Sequence, residues 1–454
     1  MTDAVSALRY LAPSTLAADR LDLQTAGGSS PTGALANPRF FAGFLTEPEQ
    51  AAQGLLAVAA VARARYFLPM TVARAEAMRD PVVTSDGAGL RFESFSGCCG
   101  VYARYDLLES GLDGEVLERG TTNVDVNPPL QAALARVGGR EPLHLSVGPD
   151  QLEVTTLDEA VVERKVPLPQ RWLRGFAEAP VALAGMQLRA EVSAVEAQRF
   201  LRSLPRAGTR AVLWAAPTGR SLTLTTRPRA DAVCVAGPER LQTLEPLLRF
   251  ARALRTYGPV VSGSPTASAW ELDLPGARLV LTLSPELSRG FSGEGGVLDA
   301  LADDVAVADA DTVGEVIGWL PGMTLREVAV AAGLDEPRAA QALRVLGTAG
   351  RVGVDVSTGA WFARDLPYAV AGAEALNPRL RTALRLVDER RLASRDGMVV
   401  VVLDDHEHHV RAGTGGAPAS CTCRWWAKHA GRRGPCAHVL AAQLAGLLDA
   451  PAGS

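Results

Sequence analysis

The chain has 454 residues, of which 47% are hydrophobic and 21% charged, and its formal net charge is -4 at pH 7. That length predicts about two to four domains, and the weakly acidic balance excludes a basic protein that coats nucleic acid. Six cysteines in a chain of this length do not form the disulfide framework of a small secreted protein.

No targeting or membrane segment is evident. The N-terminal sequence lacks a basic stretch followed by an apolar one, which a signal peptide requires. The longest apolar stretch, GLLAVAAVA at 54–62, is much shorter than the roughly 20 residues of a membrane helix. We therefore expect a cytoplasmic protein that does not contact a membrane. The preference for arginine over lysine is typical of a GC-rich bacterial genome.

The first 305 residues predict an irregular arm and a central α+β region. Residues 1–45 are rich in Ser, Gly and Pro, and we interpret them as an irregular N-terminal arm. From 46 to 305, strand patterns such as LRFESF and ASAWELDL alternate with helical patterns. PERLQTLEPLLRFARALRTYG, at 238–258, predicts one long helix. The recurrence of helix and strands suggests that the central region consists of two related units.

Residues 312–365 predict a winged-helix-like domain. Three helical segments are followed by two strands, and Thr324 and Asp335 are placed to cap the second and third helices. From Val313 to Arg364 there are five bases and five acids, whereas a helix that reads a DNA groove usually has an excess of positive charge. DNA contact and protein docking are therefore both open for this domain. We expect the region before Thr312 to fold on its own.

The last part of the chain is its positive end. Residues 377–396 predict a basic helix, and a β-hairpin pattern follows it. From 377 to 454 there are eleven Arg and Lys against seven Asp and Glu, which gives this part a charge of +4. The remaining residues then carry -8. This distribution favours a C-terminal module that contacts acidic partners such as phosphates.

A cysteine–histidine cluster lies within this module. Cys421-x-Cys423 is separated by twelve residues from Cys436-x-His438, and three thiolates and one imidazole are a full tetrahedral set for Zn²⁺. Because such a set leaves no position for water, the predicted site is structural. Neighbouring arginines and a lysine favour the thiolates. His429 is a less well spaced competitor.

Two alternative interpretations of the cysteines and histidines stay open. The three thiols could be idle residues near a stray histidine, although their paired spacing favours zinc. Another cluster, His406, His408 and His409, is interpreted as strand residues with solvated faces. A second metal site there is the less favoured alternative, because no set of carboxylates has suitable spacing.

The pattern Cys-x-Cys, variable loop, Cys-x-His, between a β-hairpin and a helix, resembles the SWIM zinc finger over residues 398–448. The segments RFESFSGCCGVYAR, VPLPQRWLRGF and SPELSRGFSGEGG resemble those of bacterial proteins that contain a SWIM module. Such proteins resemble components of systems built around MoxR-type AAA+ ATPases and von Willebrand A-domain proteins. The resemblance implies a module that binds DNA or protein and does not catalyse a reaction.

The zinc loop contains candidate nucleic-acid contacts. Four cations without an intervening acid suit phosphate binding, and two tryptophans could stack on exposed bases. The alternative for at least one tryptophan is that it packs under the zinc site as part of a small core. The candidate residues are Arg424, Trp425, Trp426, Lys428, Arg432 and Arg433.

No convincing active site emerges from the sequence, so we do not expect an enzyme. Cys98 and Cys99 are adjacent and could be redox-active, but they lie in a turn of small residues, SGCCG, and a structural role is favoured. The glycine-rich SRGFSGEGG lacks the Lys-Ser/Thr ending of a phosphate loop. The expected function is therefore that of a non-enzymatic, zinc-binding accessory protein that binds nucleic acid through its C-terminal module. The alternative is an adaptor that docks a protein partner, such as a MoxR-type ATPase or a von Willebrand A-domain protein.

Overall fold

A computed structural model describes residues 10–31, 33–35, 37–66, 80–139, 142–148, 170–206, 212–260, 264–287, 290–291, 304–366, 378–413, 419–430 and 434–448. Helices and strands both make up large parts of these ranges, as the α+β class predicts. In the described part of the chain, no helix is long and apolar enough to cross a bilayer.

The N-terminal segment is not an irregular arm, because it contributes five strands. They are β1 (Thr15–Ala17), β2 (Arg20–Leu23), β3 (Gly28–Ser30), β4 (Gly33–Leu35) and β5 (Phe41–Leu45). Leu21 and Leu23 alternate with polar residues and are fully buried. Two of their partner strands lie about 70 and about 120 residues further along the chain, so distant pairing overrides the local preference of Gly and Ser for turns.

Those partners complete a five-stranded sheet in the order β1-β2-β11-β5-β9. The two additional strands are β9 (Leu112–Val116) and β11 (Leu143–Val147). Strand β11 runs parallel to β2 and antiparallel to β5. The described strands between Thr15 and Leu45 are therefore part of the central fold.

A ten-stranded sheet spans both halves of the central region, in the order β12-β16-β17-β18-β8-β7-β6-β10-β3-β4. Its further strands are β6 (Val82–Ser85), β7 (Leu90–Phe95), β8 (Val101–Leu107), β10 (Gly120–Asn123), β12 (Gln187–Ser193), β16 (Ala253–Gly258), β17 (Ser268–Leu274) and β18 (Ala277–Leu283). Antiparallel pairing of β8 with β18 joins the two halves into one sheet.

Among the described residues, four α-helices and a small sheet also belong to the central region. The helices are α1 (Pro48–Arg63), α2 (Pro128–Leu134), α3 (Gln170–Ala184) and α4 (Ala194–Ser203). The small sheet has the order β14-β13-β15 and contains β13 (Val212–Thr218), β14 (Ser221–Thr225) and β15 (Val233–Ala236).

The long helix predicted at 238–258 is wrong. A 3-10 helix at Pro238–Leu247 is followed by strand β16. Pro246 removes a backbone donor that an α-helix would use. Strand β16 pairs with β12 and β17 on its two sides, and this pairing outweighs the helical pattern of its sequence.

Residues 304–363 have the predicted order of helices followed by a hairpin. The elements are α5 (Asp304–Ile317), β19 (Met323–Thr324), α6 (Leu325–Ala332), α7 (Glu336–Thr348), β20 (Val352–Asp355) and β21 (Ala360–Ala363). Thr324 forms a capping box with Glu327, and Asp335 caps α7. The first helix begins before the predicted boundary at 312.

This segment shares a core with the central region. One cluster of buried side chains contains Phe95, Trp172 and Phe176 together with Leu343 and Trp361. Two such parts would each expose apolar surface if separated. Another cluster of buried side chains, from Leu21 to Leu283, lies wholly before 312. Independent folding of the region before 312 therefore stays a prediction, although later residues form part of its second core cluster.

Buried ion pairs reinforce this shared core. Arg364 donates to Glu93 at 2.8 Å, to the carbonyl of Phe176 at 2.9 Å and to that of Val352 at 3.0 Å. The side chains of Arg364 and Glu93 are at most 1% exposed. Arg104, on β8, donates to Asp355 at 2.9 Å. Charged groups buried this deeply need all of these partners.

The C-terminal module contains α8 (Pro378–Asp388), β22 (Leu392–Arg395), β23 (Met398–Val402), β24 (Glu407–Arg411), β25 (Ser420–Cys421), α9 (Arg424–His429) and α10 (Ala437–Leu444). The basic helix predicted at 377–396 thus ends at Asp388. Arg390 follows with a positive φ of 52°, which stops the helix, and the last predicted helical residues pair with β23.

Helix α8 is part of the zinc module. Its buried residues Leu380, Ala383 and Leu386 belong to one cluster with the cysteines and with Leu440 of α10. A four-stranded sheet, in the order β22-β23-β24-β25, forms the other side of this core. The module therefore begins at or before 378, earlier than the predicted start at 398.

Candidate zinc centre

The structure brings the four predicted ligands together. Cys421 ends β25, Cys423 precedes α9, Cys436 precedes α10, and His438 lies in the first turn of α10. Their ligand atoms all lie within 4.8 Å of one another, the three cysteines are buried, and His438 is half-buried. A strand end and two helix starts therefore meet at one point.

The backbone around the cluster favours thiolates. The Sγ of Cys423 accepts a hydrogen bond from the backbone N–H of Trp426, and the Sγ of Cys436 accepts one from that of Val439. Each sulfur thus caps a helix N-terminus, where unpaired N–H groups and the helix dipole stabilise negative charge. No acidic residue lies between Cys421 and His438 to oppose this stabilisation of negative charge.

The distance between the donor atoms of Cys421 and His438 matches a tetrahedral zinc site. In a tetrahedral site, Zn–S bonds of about 2.3 Å and Zn–N bonds of about 2.05 Å place sulfur and nitrogen about 3.6 Å apart. The Sγ of Cys421 and the Nδ1 of His438 are 3.7 Å apart. Since three sulfurs and one nitrogen complete the coordination, the ion would be structural.

The thiol pKa values show why the cluster needs a cation. A hydrogen bond from Cys421 lowers the pKa of the Cys436 thiol to about 4. The same contact raises the pKa of Cys421, and burial raises that of Cys423. One thiolate is therefore favoured, and a second and third require a positive charge among them.

Zinc uptake at pH 7 is accordingly expected to release two thiol protons. Cys436 is already ionised at that pH, whereas Cys421 and Cys423 must lose their protons to become ligands. Affinity should therefore fall about a hundredfold for each unit by which the pH is lowered near neutrality. Calorimetry in buffers of different ionisation enthalpy counts the protons, and release of none would contradict the assignment.

The predicted nucleic-acid contacts divide into three groups. Arg424 and Lys428 lie on α9 and are exposed. Trp425 and Trp426 are half-buried and pack against the zinc core, so the structural alternative for the tryptophans holds in part for both. Arg432 and Arg433 lie outside the described residues.

A cleft of about 550 Å³ opens beside the ligands. Its walls include three residues that the sequence interpretation did not assign to the site, together with predicted ones: Arg379, His406, His408, Arg424, Trp425 and His438. The guanidinium of Arg379 lies 4.5 Å from the ring centroid of Trp425 and donates to the carbonyl of Pro435 at 2.8 Å. No local signal could single out Arg379, because its partners are about fifty residues away in sequence.

His408 corrects the interpretation of the second histidine cluster. Its side chain is half-buried, and its ring lies 4.4 Å from that of His438. His406 is exposed and contacts His408. The solvated faces predicted for these histidines therefore apply to His406, which precedes β24, but only in part to the half-buried strand residues His408 and His409.

Comparison with known proteins identifies the family of the C-terminal module. Residues 399–445 match the SWIM zinc finger family. No curated protein matches the chain. Among solved structures, the crystal structure of Proliferating Cellular Nuclear Antigen from Entamoeba histolytica is similar at 9% identity and a TM-score of 0.33, over 55% of this chain and 100% of that one. The family match and the clustered ligands together show that the C-terminal module of this chain is a zinc-binding SWIM zinc finger.

Proposed function

We propose that this protein is a non-enzymatic accessory protein that binds single-stranded nucleic acid weakly through its SWIM module. The observation that carries the proposal is the exposed surface of α9. Arg424 and Lys428 are four residues apart on this helix, so they lie on the same side of it, and Trp425 lies beside them in the wall of the cleft. Cations of this kind contact phosphates, and an indole ring stacks on bases.

The charge distribution supports the same proposal. The segment from Cys421 to His438 contains no acid, and the 78 C-terminal residues carry +4 in a chain of net charge -4. A polyanion is therefore attracted to this end of the molecule and repelled by the rest. Few phosphate contacts give weak binding that does not depend on sequence.

Arg379 gives Trp425 a defined position. With its guanidinium over the indole and its hydrogen bond to the Pro435 carbonyl, it links α8 to the zinc loop. A ring held in this way loses little conformational freedom when a base stacks on it. Each stacked base would contribute about 1–3 kcal/mol.

We also propose that residues 304–366 form a winged-helix-like unit with a structural role. The order of three helices and a hairpin, with a sheet in the order β19-β21-β20, supports the first part. Arg338 on α7 is paired with Asp309 through two hydrogen bonds, and Asp335 and Glu336 lie at the start of the same helix. This charge pattern disfavours insertion of α7 into a DNA groove.

A paired set of variants tests the proposal. Arg424→Ala/Lys428→Ala removes two exposed charges from α9, and Arg381→Ala/Arg385→Ala removes two exposed charges from α8 with the same spacing. Because neither pair includes a zinc ligand, zinc content should stay at one per chain in both. Fluorescence anisotropy with a labelled oligothymidine at low salt should show binding weakened at least about tenfold in the first variant and about twofold or less in the control.

Equal weakening in the two variants, or no binding by the wild type, would contradict the proposal. The alternative function is then an adaptor whose C-terminal module docks a protein partner, such as a MoxR-type AAA+ ATPase or a von Willebrand A-domain protein. Docking through an apolar surface would keep its affinity as salt rises, which distinguishes it from phosphate binding.

A further inference from the structure

The two histidines at the edge of the cleft have their outer ring nitrogens facing each other. The Nε2 of His406 and the Nε2 of His408 are 3.3 Å apart, and the two ring planes are inclined at 82°. Two nitrogens at this separation, each about 2.1 Å from a common point, subtend an angle of about 104° there. That angle is close to the tetrahedral value.

The other ring nitrogens have partners of their own. The Nδ1 of His406 contacts the carboxylate of Asp405, and the Nδ1 of His408 lies 3.5 Å from the hydroxyl of Thr422. A carboxylate that accepts the Nδ1 proton fixes the tautomer in which Nε2 carries the free lone pair, an arrangement typical of histidine metal ligands.

We propose that His406 and His408 form a second, exchangeable site for a divalent transition metal ion that prefers imidazole nitrogen, such as Ni²⁺, Cu²⁺ or Zn²⁺. Two protein ligands leave the remaining coordination positions open to water or to small ligands in the cleft. The site thus differs in kind from the neighbouring zinc centre, whose four positions are all taken by the chain.

Some of the nearby charges favour a metal cation at this site and others oppose it. A zinc ion with three thiolates and a neutral imidazole carries a net charge of -1 and attracts a second cation nearby, and the Asp405 carboxylate adds to this attraction. Arg379 and Arg424 line the same cleft and oppose it. Their side chains also attract anions, so a metal ion at the histidines would be accompanied by an anionic ligand in its open positions.

Strand β24 itself offers a matched control. His409 follows His408 on β24, and successive side chains of a strand point to opposite faces. His409 is thus next in sequence to the proposed site but on the other side of the sheet. His406→Ala is the primary variant, because the side chain of His406 is 49% exposed and the fold does not depend on its burial.

The experiment titrates the untagged, zinc-loaded full-length chain with Ni²⁺ in a calorimeter, with elemental analysis to confirm that one zinc per chain remains. Wild type and His409→Ala should each bind one Ni²⁺. His406→Ala and His408→Ala should lose this binding, and Asp405→Asn should weaken it about tenfold or more. The proposal is overturned if wild type binds no Ni²⁺ beyond its zinc, which would make the histidines a hydrogen-bonded pair only. It is equally overturned if His406→Ala binds Ni²⁺ as well as His409→Ala does.

Discussion

Replacing Arg364 with alanine is expected to lower the free energy of unfolding by about 3–5 kcal/mol. The guanidinium joins β7, through Glu93, to the carbonyls of Phe176 in α3 and Val352 in β20. It also lies 4.5 Å from the ring centroid of Phe176. Its removal leaves the Glu93 carboxylate buried, with a hydrogen bond from the Tyr102 hydroxyl but without its ion-pair partner, and it leaves a cavity where the guanidinium was.

Arg199→Ala is the matched control for this variant. Arg199 is also paired with a glutamate, Glu196, but its side chain is 73% exposed, and an exposed pair of this kind contributes at most about 1 kcal/mol. Urea unfolding followed by circular dichroism measures both variants. If Arg364→Ala were no less stable than Arg199→Ala, the core shared by the central region and residues 304–366 would not be needed for stability.

Replacing Cys436 with serine is expected to abolish stoichiometric zinc binding and to unfold the C-terminal module from 378 to 448. The core of this module is small, and the ligands themselves are part of it. Small units of this kind obtain most of their folding free energy from the metal, about 10–16 kcal/mol in zinc-finger peptides. A serine hydroxyl stays protonated at neutral pH and does not replace a thiolate.

Cys98→Ser is the control, because Cys98 is half-exposed and lies outside the module. Elemental analysis should find one zinc per chain in the wild type and in the control and none above background in Cys436→Ser. Limited proteolysis should then cleave the variant within 378–448 while the central region survives. Retention of stoichiometric zinc by Cys436→Ser would remove this cysteine from the ligand set.

The zinc centre could be predicted because its determinants are local. The ligands form two pairs, Cys421 with Cys423 and Cys436 with His438. The members of each pair are separated by a single residue, so they lie near each other in almost any conformation of the chain. The charge of the loop can be counted directly. The capped helices α6 and α7 were predictable for the same reason, since Thr324 and Asp335 satisfy backbone donors within their own first turns.

The sheets could be predicted only in part, because their pairing is distant. Strand β2 is only four residues long, RLDL, and nothing in that segment indicates its parallel pairing with the distant β11. The sequence of strand β16 alone predicts a helix, and its pairing with β12 and β17 on its two sides makes it a strand. Sequence periodicity carries no information on such partners.

The shared core escaped prediction for a related physical reason. A capped helix with an apolar face shows that the face is buried but not what covers it. The segment with α5 to α7 looked self-sufficient, yet Trp361 packs in one cluster with Phe95 and Trp172. The sequence does not connect Arg379 or His408 with the zinc centre for the same reason, because their partners Trp425 and His438 are distant in sequence.

The most direct test of the proposed function is the salt dependence of oligothymidine binding by the wild-type, zinc-loaded chain. Each phosphate neutralised on a single strand contributes about -0.7 to the slope of log K against log salt concentration. With two to four contacts from Arg424, Lys428, Arg432 and Arg433, we predict a slope between about -1.4 and -2.8. No binding at low salt, or an affinity that stays constant as salt rises, would contradict the account.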